Sequence, residues 1–364
     1  MMGGRGSRTA SPSVFTVSPV EVVGDADVRS TVLPNGLRVL TERVPGVRSV
    51  AAGVWVVQGV AHETPEVMGV SHMLEHMVFK GTRARSAREI ALSLEALGGS
   101  LDAYTSREHT SFQARVLDQH LPEALDVLAD LTLHPLLRPG DLELEREVVL
   151  EEISTVEDTP DDLVFDLHGE ALWGAHPYGH PILGTRETVS NLSAGDLEAV
   201  HREAYCARNM VVAVVGSLDH DATLDEVARL FGPLGAGQAA LPVPEPAEAG
   251  QGRRRVVRDS AQSHIVFGGG GLTQGDPRRY AMVLLSQAFG GGMSSRLFQR
   301  IREELALAYA VYSYHAFYRS GGSVGVYLGT RPEMEEPAVA AVMEEMDRLA
   351  REALPADELE MVRE

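Results

Sequence analysis

Apolar and polar positions along the chain change period several times, and each change marks an element. "STVLPNGLRVLTERV", residues 30–44, reads as strand, Pro-Asn-Gly turn, strand. "VAAGVWVVQG", 50–59, is a continuous apolar run expected to form a buried strand. "SAREIALSLEALGG" takes the helical period, with Ser86 as N-cap, Glu89 closing a capping box and Gly98 stopping the helix. Two strands, "SLDAYTS" and "TSFQARVL", and the helix "PEALDVLADLTL" follow.

The same order returns later in the chain. "DPRRYAMVLLSQAFGGG" reads as a helix capped by Asp276 with Pro277 at its first position, and "SRLFQRIREEL" as a second helix. Strands "AYAVYSY" and "SVGVYLGT" and the helix "EEPAVAAVMEEMDRLA" complete the repeat. Both halves run helix, helix, strand pair, helix, so the pattern predicts an α+β fold of two similar domains. In each, a mainly antiparallel sheet is packed with helices on one face. The first domain is expected over 29–240, a linker over 241–255 ("LPVPEPAEAGQGRRR") and the second domain over 256–364. "RPGDLELEREVV" opens a long helix in the first half, and "LPADELEMVRE" matches its beginning in the second. Nothing in the second half matches 150–231, so the second domain is expected to be truncated at its C-terminus.

Composition narrows the function. The chain has 364 residues, 44% of them hydrophobic, enough for two real cores. No apolar run approaches membrane-spanning length. Cys206 is the only cysteine, which excludes an intramolecular disulfide and suits a reducing compartment. A formal net charge of -20 argues against nucleic acid and is compatible with basic or unfolded peptides as partners, while simple solubility accounts for most of it. Residues 1–28, rich in Gly, Ser and Thr and without a secretory apolar core, are expected to be a disordered lead-in on a cytoplasmic protein.

The candidate chemistry lies in "SHMLEHMVFKGT", 71–82. At about 100° per residue, His76 falls about 40° to one side of His72 and Glu75 about 60° to the other, so all three share a face. The order His-x-x-Glu-His is the inverted zinc-peptidase motif. Solvated polar residues on an amphipathic helix are the plain alternative. Against it, Met73, Leu74, Met77, Val78 and Phe79 make the helix apolar almost all round, and buried histidines need partners. A zinc site open to substrate takes three protein ligands. In "DLELEREVVLEEISTVED", Glu145 and Glu152 fall on the apolar face with Val148, Val149 and Val156, whereas Glu143, Glu147 and Glu151 point away.

These stretches resemble the pitrilysin-type (M16) zinc peptidases, from Arg29 to Glu364. "GVSHMLEHMVFKGT" is similar to the family's zinc helix, with Ser71 where Ala is usual, and "EREVVLEEISTVED" to its third-ligand region. The resemblance implies one Zn²⁺ per chain on His72, His76 and Glu152, with Glu145 supporting a ligand and Glu75 as general base. "GGSLDAYTSREHT" resembles the substrate edge strand, Leu101, Asp102, Ala103, Tyr104 and Thr105, with Asp102 in place of Asn. "GGGMSSRLFQRIREELALAYAVYS" resembles the second-domain motif, which implies that Arg302 and Tyr309 hold the substrate. Their spacing of seven puts both on one face of a helix that runs that far. The family also implies extended peptide substrates and a homodimer, or a heterodimer with a related subunit. It includes catalytically silent partner subunits as well, but this chain retains every motif residue that silent members lose.

Overall fold

The computed structural model describes residues 27–246, 250 and 252–363, together with the backbone of Glu21–Val22. The first half is built on a seven-stranded sheet, ordered β1-β2-β3-β7-β4-β6-β5. Its strands are β1 (Glu21–Val22), β2 (Val28–Val32), β3 (Arg38–Arg43), β4 (Ser49–Val56), β5 (Ser100–Thr105), β6 (Thr110–Leu117) and β7 (Met210–Gly216). Only β3 and β7 run parallel; every other neighbouring pair is antiparallel. The lead-in expected over 1–28 lies mostly outside the described residues, and within it Glu21–Val22 pair with Arg29 and Ser30.

Alternation in β4 sets the faces. Val50, Ala52, Val54 and Val56 turn inward and are buried, while Ala51 is exposed on the other side. Of the helices in this half, α1 (Val70–Val78), α2 (Ala87–Glu95), α3 (Leu121–Leu133) and α8 (His220–Phe231) pack on the sheet, while α4 (Pro139–Asp158), α5 (Pro160–Trp173), α6 (Arg186–Asn191) and α7 (Ala194–Ala204) lie mainly against other elements. Leu125 and Leu128 of α3, and Met73, Leu74 and Met77 of α1, join Val54 and Phe112 in one core. Ser86 caps α2 by accepting from the Glu89 backbone N–H, and the Glu89 carboxylate accepts from the Ser86 N–H in return.

The second half carries a three-stranded antiparallel sheet, β8-β10-β9, from β8 (Ser263–Gly270), β9 (Ala308–Phe317) and β10 (Gly322–Thr330). Helices α9 (Arg279–Gly290) and α10 (Glu335–Arg351) and a π-helical stretch, Phe298–Glu304, bury Phe289, Leu297, Ile301, Val326 and Leu328 against one face. The short α11 (Ala356–Arg363) ends the described chain. From the first half, α5 reaches the sheet's other face, where Phe165 stacks on Tyr327 with ring centroids 5.8 Å apart. Residues 241–246 lack regular structure, and Val243 packs with Ala61 and Tyr178.

Two expected elements differ. Asp276 does not cap a helix at Pro277. Helix α9 begins at Arg279, and Asp276 instead closes the preceding turn by accepting from the Arg278 N–H and guanidinium. The helix expected over 295–305 widens into a π-turn and then stops, because Ala306 adopts a positive φ of 50° and reverses the chain into β9. Tyr309 is therefore a strand residue, and the helical-face argument for pairing it with Arg302 does not hold.

Candidate metal centre

Helix α1 is placed from its N-terminus. The Glu63 carboxylate accepts the backbone N–H groups of Gly69 and Ser71, at 2.8 Å each, and so satisfies donors that a helix start leaves free. Gly69 has φ 89°, and a Cβ there would lie 2.6 Å from the Leu183 carbonyl oxygen, so only glycine fits this entry. The apolar side chains of α1 are buried, whereas His72, Glu75 and His76 are only partly so and share one side.

Helix α4 crosses that side. His72 Nε2 lies 3.7 Å from Glu152 Oε2, and His76 Nε2 3.7 Å from Glu152 Oε1. These gaps are too long for hydrogen bonds. Ligands about 2.1 Å from a tetrahedral zinc sit about 3.4 Å apart. One ligand atom from each of His72, His76 and Glu152 lies within 4.8 Å of the others. Burial, and then the neighbouring His76, bring the His72 imidazole down to about 4, so it is neutral near pH 7 with a lone pair to give. Glu145 is buried, and its Oε2 holds His76 Nδ1 at 3.1 Å, which leaves Nε2 to face Glu152. Its Oε1 meets Lys80 Nζ at 2.6 Å. Two imidazoles, one of them fixed by a second carboxylate, and the Glu152 carboxylate form a donor set that fits zinc.

Glu75 stands beside this group on α1. The Thr105 hydroxyl at the end of β5 donates to its Oε2 at 2.5 Å. Burial pushes the Glu75 carboxyl up, partly offset by the Thr105 bond and by His76.

The family models identify what this arrangement belongs to. Residues 38–186 match "Insulinase (Peptidase family M16)" and residues 191–364 match "Peptidase M16 inactive domain". The chain belongs to the M16 peptidase family. An uncharacterized zinc protease of Streptomyces coelicolor is 41% identical over 97% of this chain and 81% of its own length. One from Bacillus subtilis is 41% identical over 91% of this chain and 80% of its own. The fold is shared with a crystal structure titled as a peptidase M16 inactive domain from Pseudomonas fluorescens, with TM-score 0.86 and 23% identity over 92% of this chain and 82% of that one. A protease from Helicobacter pylori has TM-score 0.87 and 22% identity, covering 93% of this chain and 83% of that one.

Among the other sequence-predicted residues of this M16 chain, β5 lies at the edge of the sheet. On it Asp102 and Tyr104 are exposed, Leu101 and Ala103 half-buried and Thr105 buried. Arg302 and Tyr309 meet each other in the second half, with the guanidinium carbon 4.8 Å from the Tyr309 ring centroid and 4.7 Å from that of Phe298. On α4, Val148 is exposed although its angle places it near Glu145; the inward stripe is narrower and runs through Glu145, Val149 and Ile153. Glu152 is at the rim, its side chain 40% exposed. Sequence reasoning passed over Lys80, Glu63 and the bond from Thr105 to Glu75. Lys80 lies four residues after His76, one helical turn on, and that spacing was the available signal.

Proposed function

We propose that this chain is a zinc-dependent endopeptidase acting on extended, unfolded peptides. The convergence of His72, His76 and Glu152 beside Glu75 carries the reading. The relatives' description as zinc proteases supports it. His72, His76 and Glu152 would hold Zn²⁺, one per chain, with Glu145 steadying His76. When bound, zinc supplies a Lewis acid that polarises a peptide carbonyl and acidifies a water.

With zinc bound, Glu75 would accept a proton from water on its carboxylate and pass it to the leaving amine. Burial raises its pKa and brings it nearer the working pH, and the Thr105 hydroxyl holds one of its oxygens in place. An extended peptide would add to the open edge of β5 through main-chain hydrogen bonds, which read little sequence. Arg302 and Tyr309 offer a guanidinium and a phenol to the substrate backbone.

Glu75→Gln keeps the shape but not the proton acceptor. Zinc content and peptide binding should persist, while turnover of a quenched peptide falls by about 10²–10⁴-fold. Near-normal turnover in the variant would remove Glu75 from the role of base.

A further inference from the structure

The turn that follows the edge strand is tied to the second half by a network that zinc binding does not explain. Residues Ser106–His109 join β5 to β6, and Thr105, which holds Glu75, is the last residue of β5. On one side this turn is pressed against Gly59–Ala61. The Ala61 N–H donates to the Arg107 carbonyl at 2.7 Å, and a Cβ on Gly59 would lie 2.4 Å from the Ser106 carbonyl oxygen.

On the other side the turn reaches the second half through Glu108. Its Oε1 accepts the Tyr178 hydroxyl at 2.6 Å and the Arg319 backbone N–H at 3.0 Å. The Ser320 N–H donates to the Tyr178 hydroxyl oxygen at 3.2 Å, and the Ser320 hydroxyl donates to the Val243 carbonyl at 2.6 Å. Two successive N–H groups of the β9–β10 turn are thus satisfied by first-half side chains. Tyr178 is fully buried, and its ring stacks on Tyr318 with centroids 4.6 Å apart. Gly321 lets the turn close on this cluster, since a Cβ there would approach Pro246 Cγ to 3.1 Å. Burial, reinforced by the Glu108 bond, pushes the Tyr178 hydroxyl up, so it stays protonated and donates.

We propose that Glu108 is a positioning residue, holding the β9–β10 turn of the second half against the turn that anchors Thr105 and thereby fixing the end of the substrate edge strand. Strand β5 carries the substrate edge and ends at the latched turn, while β9 ends at the turn that Glu108 holds. The latch reads backbone N–H groups, so it depends on the acceptor at 108 and the hydroxyl at 178. The inference rests on the peptidase reading for its kinetic consequence, but the latch itself can be measured without turnover.

The test uses the zinc-loaded full chain and compares Glu108→Ala, Glu108→Gln and Tyr178→Phe with wild type. Gln retains an acceptor oxygen and should preserve the contact. Amide hydrogen exchange in the segment 318–321 should speed up by about tenfold in Glu108→Ala and Tyr178→Phe and stay near wild type in Glu108→Gln. Exchange in α1 and α4 and zinc content should stay unchanged in all three. KM for a quenched peptide should rise by about tenfold in the first two variants, with kcat within about twofold. Equal exchange of 318–321 in wild type and Glu108→Ala would overturn the latch. Faster exchange with unchanged KM would overturn its positioning role, as would a Glu108→Gln protein that behaves like Glu108→Ala. A wild-type chain that binds zinc but turns over no peptide would count against the peptidase reading and leave the exchange result standing.

Discussion

Glu145 is gripped by two groups at once, His76 Nδ1 on one oxygen and Lys80 Nζ on the other. A buried carboxylate without a cation is costly, so Lys80 both stabilises Glu145 and aims it at the imidazole. Lys80→Met should leave all three zinc ligands in place yet weaken zinc affinity by about tenfold, the usual effect of losing an outer partner. Lys80→Arg should restore most of it. Competition titration with a chelator measures this directly, and an unchanged affinity in Lys80→Met would show that Glu145 needs no cation. At this scale His72, Glu75 and His76 were legible because their spacing on one helix fixes their shared face, and helical period selected Glu145 as buried. Thr105 gained its role only through packing of β5 beside α1, which no local period encodes.

Two helices are fastened to the first sheet and its core by histidines. His201 on α7 bonds the Thr132 carbonyl at the end of α3, and His220 at the start of α8 bonds the hydroxyls of Thr31 and Thr41 on β2 and β3. Burial is the largest influence on both and lowers both pKa values below the ordinary 6.5, with the charge of Arg29 adding to the fall at His220. In the fold they stay neutral, while in the unfolded chain they take up protons as pH falls through about 6.5. Their contribution to stability is present above that value and is lost as pH drops toward the folded pKa values. Chelator-treated protein, in which zinc loss cannot interfere, should show a falling denaturation midpoint from pH 7 to 5, and His201→Gln together with His220→Gln should flatten the slope. A midpoint that is constant over this range would contradict the assignment. Elements were legible where period and punctuation agreed, as at the Ser86 capping box and the hairpin of β2 and β3. They were misread where the chain left the α-helical path: the π-turn at 298–304 has no distinct apolar period, and the positive φ at Ala306 falls on a residue that carries no turn signal.

Across the whole molecule, the internal repeat was legible because each half reuses one order of elements. The seven-stranded order was not, since β7 enters between β3 and β4 from far along the chain. The contacts between halves were equally hidden, as Phe165, Tyr178 and Glu108 resemble ordinary core or surface residues in sequence. No helix among the described residues is long and apolar enough to cross a membrane. We propose that two chains face each other and enclose the peptide, so that Glu75 of one chain works with Arg302 of the other. Mixing Arg302→Ala chains with Glu75→Gln chains should then restore activity through the one intact site of the mixed dimer. A light-scattering mass of one chain at assay concentration would refute the arrangement.

The central claim is the metal centre, and metal content tests it most directly. Elemental analysis should find one zinc per wild-type chain and none retained by His72→Ala or Glu152→Ala proteins that keep the wild-type circular dichroism spectrum. Full zinc content in a folded His72→Ala protein would contradict the account.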